Sequence, residues 1–458
     1  MKTVAFHNLG CKVNTYELDA MAELFENKGY KTVDFNEKAD VYVINTCSVT
    51  NIADRKSRQM LSKARKTNQN ALIIAVGCYV ETREEELLKN ERINICIGNN
   101  KKSKIVEIVE EYFETKPNID SNPEKENCYE ETIIVKDLDA NSLYDDMKIS
   151  KSEEHTRAFI KIQDGCNQFC SYCIIPYARG RVRSRKQDDI IEEIKRLVGA
   201  GYKEFVITGI HLSSYGSDFI YEKQKADQFA PDLLLGLLSQ IDEIAGVERI
   251  RLGSLEPRII TEEFAVKLKK IKKLCAHFHL SLQSGSQSVL ERMNRHYSAE
   301  EYYEKVKILK NVFKHPAITT DVIVGFPGET ICEFEESKAF AEKCGFYEMH
   351  IFKYSVRKGT VAAGMKEQLT EKEKTDRSHI LEEMEKKMSG AFREWYIGKK
   401  QKVLFEEEKN IDGKRYMVGF TEEYVKVACE DTGIISNSIE TVKIVGRLNE
   451  MFMIGAKE

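Results

Sequence analysis

Cys166, Cys170 and Cys173 stand in the run Asp164-Gly165-Cys166-Asn167-Gln168-Phe169-Cys170-Ser171-Tyr172-Cys173, a CxxxCxxC spacing. Three thiolates from one short loop can hold three irons of a [4Fe–4S] cluster and leave the fourth iron an open position for a substrate. Zinc is the alternative. Structural zinc is normally closed by four ligands, often as two separated pairs, and no fourth Cys or His lies beside this loop. The ligand count therefore favours the iron–sulfur cluster.

Cys11, Cys47 and Cys78 form a second set, each just past the C-terminal end of a predicted strand and spaced by 36 and 31 residues, about one βα unit each. In an open parallel sheet such ends share one edge, where ligands normally bind. Taken singly, each cysteine is more often a small buried hydrophobe. At equivalent positions along one polar edge, the three thiols point to a second Fe–S site. Cys96 also ends a strand and is set aside on the expectation that its strand is an edge strand. Cys128, Cys275, Cys332, Cys344 and Cys429 have no partner spacing and read as ordinary thiols.

The elements that must position these residues fall into three parts. Strands at Thr3–His7, Val41–Asn45, Leu72–Val76 and Ile93–Ile97 alternate with helices near Asn14–Asn27, Ile52–Lys66 and Arg83–Lys89. That rhythm predicts a doubly wound parallel sheet over residues 1–115. Residues 116–150 are acidic, contain two prolines and read as a linker. A second alternation over 151–370 has strands at Arg157–Gln163, Glu204–Thr208, Glu248–Leu255, His277–Gln283, Ile318–Val324 and Tyr347–Tyr354, with helices such as Asp188–Val198 between them. Six β/α units predict a partial TIM-like barrel whose chemistry sits at the C-terminal strand ends, and the cysteine loop follows its first strand. A connecting helix is expected over 371–398. Short strands in 399–458, at Lys402–Glu406, Arg415–Gly419, Tyr424–Ala428 and Val442–Val445, with turn signals at Asp412-Gly413 and Asp431-Thr432-Gly433, predict a small antiparallel β-barrel outside the catalytic machinery.

Composition is consistent with an enzyme of this size. The 458 residues, 42% of them hydrophobic, suffice for cores of about three domains. No stretch reaches the length of a membrane span and the N-terminus lacks a signal-peptide core, so a cytoplasmic protein is expected. Twelve cysteines in such a chain read as reduced thiols and metal ligands. A net charge of −4 neither favours nor excludes nucleic acid, because binding depends on local patches.

With both cysteine sets, the run CNQFCSYCIIPYARGRVRSR from Cys166 to Arg185 and Asn45-Thr46-Cys47-Ser48-Val49-Thr50, the sequence resembles the methylthiotransferase family of radical S-adenosylmethionine (SAM) enzymes along essentially its whole length. The resemblance implies an N-terminal methylthiotransferase domain, a radical SAM barrel and a C-terminal RNA-binding barrel of the TRAM type. It also implies two [4Fe–4S] clusters, an auxiliary one on Cys11, Cys47 and Cys78 and a radical-generating one on Cys166, Cys170 and Cys173. His7-Asn8-Leu9-Gly10-Cys11-Lys12-Val13-Asn14 looks like the group that modifies N6-threonylcarbamoyladenosine beside the tRNA anticodon; relatives acting on isopentenyladenosine have Gln-Met-Asn after this cysteine, and those acting on a ribosomal-protein aspartate have Pro-Lys-Asn.

The implied reaction replaces hydrogen at adenine C2 with a methylthio group, and that C–H bond is too weakly acidic for a side-chain base. In the family a reduced barrel cluster cleaves SAM to start the substitution, and the auxiliary cluster delivers the sulfur, its methyl coming from another SAM. The sulfur donor and the electron donor are not legible in the sequence. SAM is expected across the barrel's strand ends, near Gly209, His211, Glu256, Ser281, Gln283 and Gly325, where glycine lets backbone approach a cofactor closely; an ordinary βα turn and a structural histidine are the alternatives at Gly209 and His211.

For a tRNA anticodon stem-loop there are two basic runs, Arg179, Arg181, Arg183, Arg185 and Lys186, and Arg55, Lys56, Arg58, Lys63, Arg65 and Lys66. A solvated helix face is the alternative for the second. Competing functions are methylthiolation of isopentenyladenosine or of a protein side chain, and an RNA-binding protein whose clusters only sense iron or redox state.

Overall fold

The structure, a computed structural model, describes residues 1–83, 86–87, 92–115, 132–139, 142–151, 156–221, 228–430 and 433–457. Its first part is a six-stranded, wholly parallel sheet of β1 (Thr3–Asn8), β2 (Lys31–Val33), β3 (Val41–Thr46), β4 (Leu72–Gly77), β5 (Ile95–Ile97) and β6 (Ile133–Val135), in the order β2-β1-β3-β4-β5-β6. β3 and β4 are buried at every residue, as their near-continuous apolar runs require with helices on both faces.

Two expectations are corrected here. β6 lies inside the stretch read as a linker, so the sheet runs on to Val135; three residues, Ile133-Ile134-Val135, are too few to stand out from acidic surroundings by periodicity. β5 is therefore flanked on both sides, and Cys96 is not on an edge strand; it is packed fully buried in one of the core clusters beside Ile73 and Ala75. Cys128 and part of the expected helix Arg83–Lys89 lie outside the described residues.

The second part is a curved wall of β7 (Arg157–Asp164), β9 (Glu204–Gly209), β10 (Arg249–Leu252), β11 (His277–His279), β12 (Ala317–Val324) and β13 (Glu348–Lys353), with β8 (Arg183–Ser184) antiparallel on the outer flank of β7. Parallel bridges Ile250↔Leu274 and Leu255↔Leu280 join the β10 and β11 segments, so the six expected strands make one partial barrel. The regular part of β11 ends at His279, earlier than expected. Gln283 has a left-handed backbone (φ 72°), which a continuous strand cannot contain, although its bridge to Val322 keeps it in the wall. Helices between strands begin at sequence-specified caps: Ser298 with Glu301 and Thr330 with Glu333 form capping boxes, as do Thr370 and Glu373 at the head of the connecting helix Glu371–Glu394.

The third part is a closed barrel of β14 (Lys400–Ile411), β15 (Lys414–Phe420), β16 (Lys426–Glu430), β17 (Ser438–Arg447) and β18 (Met453–Ala456), antiparallel except for the β16–β18 pair. It is not an appendage. Arg249 donates to the carbonyls of Phe420 (2.9 Å) and Lys402 (2.8 Å), Arg251 to Glu422 (2.9 Å), and Arg157 pairs with Glu406 (2.6 Å) and Tyr424 (2.5 Å). These arginines belong to β7 and β10, so the small barrel closes the floor of the large one.

Candidate functional site

The first three long strands end in the three expected cysteines. Cys11 is the N-cap of the helix Lys12–Asn27 after β1, Cys47 lies between β3 and the helix Asn51–Thr67, and Cys78 opens the short helix Cys78–Thr82 after β4. Cys11 is exposed; Cys47 and Cys78 are buried. Gly10 (φ 125°) permits the closest approach between two of these loops, because a Cβ there would lie 3.1 Å from Cys47 Cβ and 2.8 Å from Asn14 Nδ2. Burial and then the neighbouring Cys78, with Cys11 a smaller contributor, push the Cys47 thiol up to about 12. The Cys47 sulfur thus stands near enough to the other two to feel both at one sheet edge. The second loop behaves alike: burial and the charge of Cys170 push Cys166 up to about 12, and burial, Cys170 and Cys166 push Cys173 upward. Bare, Cys47, Cys166 and Cys173 hold their protons; soft iron is the partner that displaces such protons, so each donor set fits a cluster.

Between the two sets lies a buried ionic cluster. Arg179 donates to Glu17 Oε1 (2.8 Å), to both Asp164 oxygens (3.1 Å each) and to Asn14 Oδ1 (2.7 Å), while Lys161 reaches Glu17 and Asp164 at 2.7 Å each and Lys102 pairs with Glu17. Burial alone would raise the Glu17 carboxyl, yet Arg179, Lys102 and Lys161 hold it well below the usual range. Asn14 is three residues from Cys11, and Asp164 two from Cys166. Asn99 adds a direct tie, donating to Cys78 Sγ (3.7 Å) and to the Ala178 carbonyl (2.7 Å).

This overturns one expectation about RNA. Of the run after the cysteine loop, Arg179, Arg183 and Arg185 are buried; Arg185 pairs with Asp146 (2.7 Å) and Glu193, and Arg181 lies over the Phe169 ring. Alternating arginines resemble a phosphate-binding stripe, and only the buried carboxylates, distant in sequence, show their use. On the helix Asn51–Thr67, by contrast, Arg55, Lys56, Arg58, Lys63 and Lys66 are exposed, and only Arg65 is drawn inward, onto Gln69, Ala71 and Asn94.

Around the CxxxCxxC loop the expected SAM neighbours occupy the strand ends, with varied roles. Gln163 accepts from the His211 backbone (2.7 Å), and a Cβ on Gly209 would meet its side chain at 2.9 Å. His211 Nδ1 lies 2.7 Å from Ser214 Oγ; burial, with Arg295 and Arg258, pushes the ring down to about 3, so it is neutral, and its buried Nε2 has no protein partner. Glu256 accepts from Arg258 Nε (2.8 Å), and Arg258 in turn reaches Gln168 of the loop (2.9 Å). The Ser281 carbonyl accepts from Tyr297 (2.6 Å). Gly325 serves packing, since a Cβ there would fall 2.4 Å from Lys374.

The segment 292–297 was missed from sequence. The Arg292 and Met293 carbonyls hold Ser171, Asn294 donates to the Phe169 carbonyl (3.0 Å), and Arg295 Nη1 lies 3.1 Å from Cys170 Sγ. No motif marks an arginine 125 residues from the sulfur it contacts.

A family model described as the Radical SAM superfamily matches residues 160–341, and one described as uncharacterized protein family UPF0004 matches 3–98. Among solved structures, the radical S-adenosylmethionine methyltransferase TsrM from Kitasatospora setae aligns over 79% of this chain and 77% of its own with a TM-score of 0.57, at 14% identity, which speaks to fold alone. Cysteine loop, wall and matches together define a radical SAM enzyme, a class that uses an Fe–S cluster and SAM. The threonylcarbamoyladenosine tRNA methylthiotransferase MtaB of Bacillus subtilis (strain 168) is 39% identical over 97% of this chain and 94% of its own length, and that of Aquifex aeolicus (strain VF5) 38% over 90% and 95%. A tRNA-2-methylthio-N(6)-dimethylallyladenosine synthase of Clostridium botulinum (strain Loch Maree / Type A3) is 33% identical over 89% and 87%. The chain belongs to the radical SAM methylthiotransferase family, and within it to the MtaB subfamily.

Proposed function

We propose that this enzyme methylthiolates C2 of N6-threonylcarbamoyladenosine at position 37 of tRNA, using two [4Fe–4S] clusters and SAM, with the anticodon stem-loop as its docking partner. The observation that carries the reading is the placement of two thiol triads on either side of one buried ionic cluster, tied by Arg179 and Asn99, so that two metal groups would face a common space at fixed separation. The ordering of relatives, with threonylcarbamoyladenosine enzymes ahead of the dimethylallyladenosine enzyme, supports the choice of nucleoside.

In this reading Cys166, Cys170 and Cys173 hold the cluster that binds SAM, and Cys11, Cys47 and Cys78 the cluster that carries sulfur. When bound, these groups supply the one-electron chemistry and the sulfur that no side chain can provide. The chain itself positions. Arg295 donates to Cys170 sulfur, a contact of the kind that tunes cluster potential. Gln163 and Gly209 shape the strand ends where SAM would lie, with His211, Glu256, Ser281, Gln283 and Gly325 around them. No proton transfer is assigned to His211, which burial keeps neutral. The exposed cations of the helix Asn51–Thr67 would meet phosphates.

Mass spectrometry of nucleosides tests the proposal. Anaerobic reaction of the reconstituted enzyme with SAM and tRNA carrying threonylcarbamoyladenosine should convert that nucleoside to its 2-methylthio form. Conversion of isopentenyladenosine instead, or SAM cleavage with no altered nucleoside in any tRNA, would overturn it.

A further inference from the structure

A second group of metal-ligating side chains lies away from both cysteine sets, on the inner wall of the partial barrel. In β11, β12 and β13, Phe278, Ile318, Val322 and Met349, with Leu280 just past β11, pack into the core under the helices. With the side-chain period of two, His279, Thr319, Asp321 and His350 therefore face the lumen. Register brings them together: His279 is paired with Thr319 and Asp321 with His350.

The geometry is that of a ligand set. His279 Nε2 lies 3.1 Å from Asp321 Oδ2, the His279 and His350 rings are stacked with centroids 5.7 Å apart, and one donor atom from each of the three residues lies within 4.8 Å of the others. Ligands bound at about 2.0–2.2 Å to one ion stand about 3–3.5 Å from each other. The His279–Asp321 pair already meets that spacing, and exposed His350 has room to close the remainder. With an ion bound, Thr319 Oγ1, 3.0 Å from His279 Nδ1, can accept its N–H and leave the Nε2 lone pair for the ion shared with the carboxylate, the supporting arrangement of metal-bound histidines. Two imidazoles and a carboxylate suit zinc, cobalt or iron(II) rather than magnesium or calcium, and three protein ligands leave positions open.

Below this group Arg251 is paired with Glu204 (2.7 Å) and Arg157 with Glu406 (2.6 Å). The helix Lys12–Asn27 packs against β7 and β9, which brings Lys12, the residue after Cys11, to the wall from the N-terminal part. Lys12 adjoins Cys11, so the lumen is continuous with the edge that carries the first cysteine set. An open position on a divalent cation, in a lumen that Lys12 also lines, suits a small anionic group.

We infer that His279, Asp321 and His350 bind a divalent transition-metal ion, and that its open positions take the threonyl carboxylate of the nucleoside, the second half resting on the function proposed above. The test uses the full chain with its clusters assembled anaerobically, equilibrated with Zn²⁺ and desalted, zinc and iron being counted on the same samples. Wild type should retain one zinc per chain beyond its iron. His350→Ala and Asp321→Asn should lose that zinc with iron unchanged, and His350 is exposed, so its variant should fold. No zinc on wild type, or wild-type zinc on His350→Ala, overturns the metal site. Zinc-loaded wild type should also bind tRNA bearing threonylcarbamoyladenosine about tenfold more tightly than the same tRNA with unmodified adenosine, a margin that disappears in His350→Ala. Bound zinc with equal affinity for the two tRNAs overturns the carboxylate assignment. Failure to methylthiolate any tRNA would instead strike the proposed function and leave the zinc count standing.

Discussion

Replacing Arg179 with Met removes the centre of the ionic cluster while keeping most of the side chain's bulk. The guanidinium is completely buried and donates to Glu17, Asp164 and Asn14, so its loss strips bonds from two buried carboxylates that water cannot reach. Lys161 and Lys102 remain beside them, which limits the penalty to that of breaking one member of a buried network, about 3–5 kcal/mol. That is a large share of the 5–15 kcal/mol or so that holds a typical domain together. Because Asn14 loses its anchor on the side of Cys11, the damage should appear as a lower urea midpoint and as iron lost from the Cys11, Cys47 and Cys78 set before the other. Tryptophan and near-ultraviolet probes, with iron counted per folded chain, would follow both. Measured in parallel, tRNA affinity of the fraction that stays folded should change little, since no phosphate can reach Arg179. A variant of wild-type stability and iron content that binds tRNA weakly would refute this and return Arg179 to the RNA surface.

Cys170→Ala should abolish release of 5′-deoxyadenosine and all product, whereas Cys47→Ala should keep SAM cleavage and yield no methylthiolated nucleoside; equal loss of cleavage in both, with the Cys47 variant folded, would count against separate roles. Lys56→Glu, Lys63→Glu and Lys66→Glu together should weaken tRNA binding and make its salt dependence shallower by about one unit of slope for each phosphate no longer neutralised, read from affinities at several salt concentrations. Acid should act through the ionic cluster: Glu17 and Asp164 are held below the ordinary carboxylate range in the fold, so their stabilisation is complete above about pH 4 and is lost as pH falls toward their folded values. Thermal midpoints across that range should fall at higher pH in Arg179→Met than in wild type. Truncation near Lys399 should cost the large barrel its solubility, because the floor opens to water: Arg157, Arg249 and Arg251 lose their partners in the small barrel, and Ala317 and Tyr347 lose the apolar cover of Val403, Phe405 and Val425; a soluble truncation with intact iron would show the floor to be dispensable.

What could be read from sequence was whatever repeats locally. Alternation of apolar runs with helical stretches gave both parallel sheets, since each βα unit carries its own signal, and the strand-end positions of Cys11, Cys47 and Cys78 followed from it. β2, β6 and β8, of two or three residues each, escaped, because pairing with a neighbour rather than their own pattern makes them strands. The role of Arg179 and Arg185 escaped for a related reason. A charged run looks the same whether water or buried carboxylates receive it, and Glu17, Asp164 and Glu193 become partners only after folding. Arg295 and the lumen group of His279, Asp321 and His350 are likewise products of register between strands and loops far apart in the chain.

The three parts of the chain wall a single space, and this bears on why the curated relatives align over nearly all of it rather than over the radical SAM segment alone. The curved wall supplies the sides and the cysteine loop at its strand ends. The first sheet sets the helix Lys12–Asn27 against β7 and β9, and it is locked to the wall by Arg179 and by Arg357, which donates to Asp54 (2.7 Å) and to the Ser48 carbonyl (3.2 Å) just beyond Cys47. The small barrel closes the opposite end, where Tyr424 lies under Arg157, Arg251 and His277. A partial barrel has an open side and an open floor, and a reactive group held inside it would meet solvent through both. The first sheet covers the open side and the small barrel the floor, and the helix Asn51–Thr67 starts just past the C-terminal end of β13, where the Asn51 N–H donates to Ser355 (3.1 Å), so that in the proposed function its exposed cations would meet RNA phosphates on the side of the strand ends.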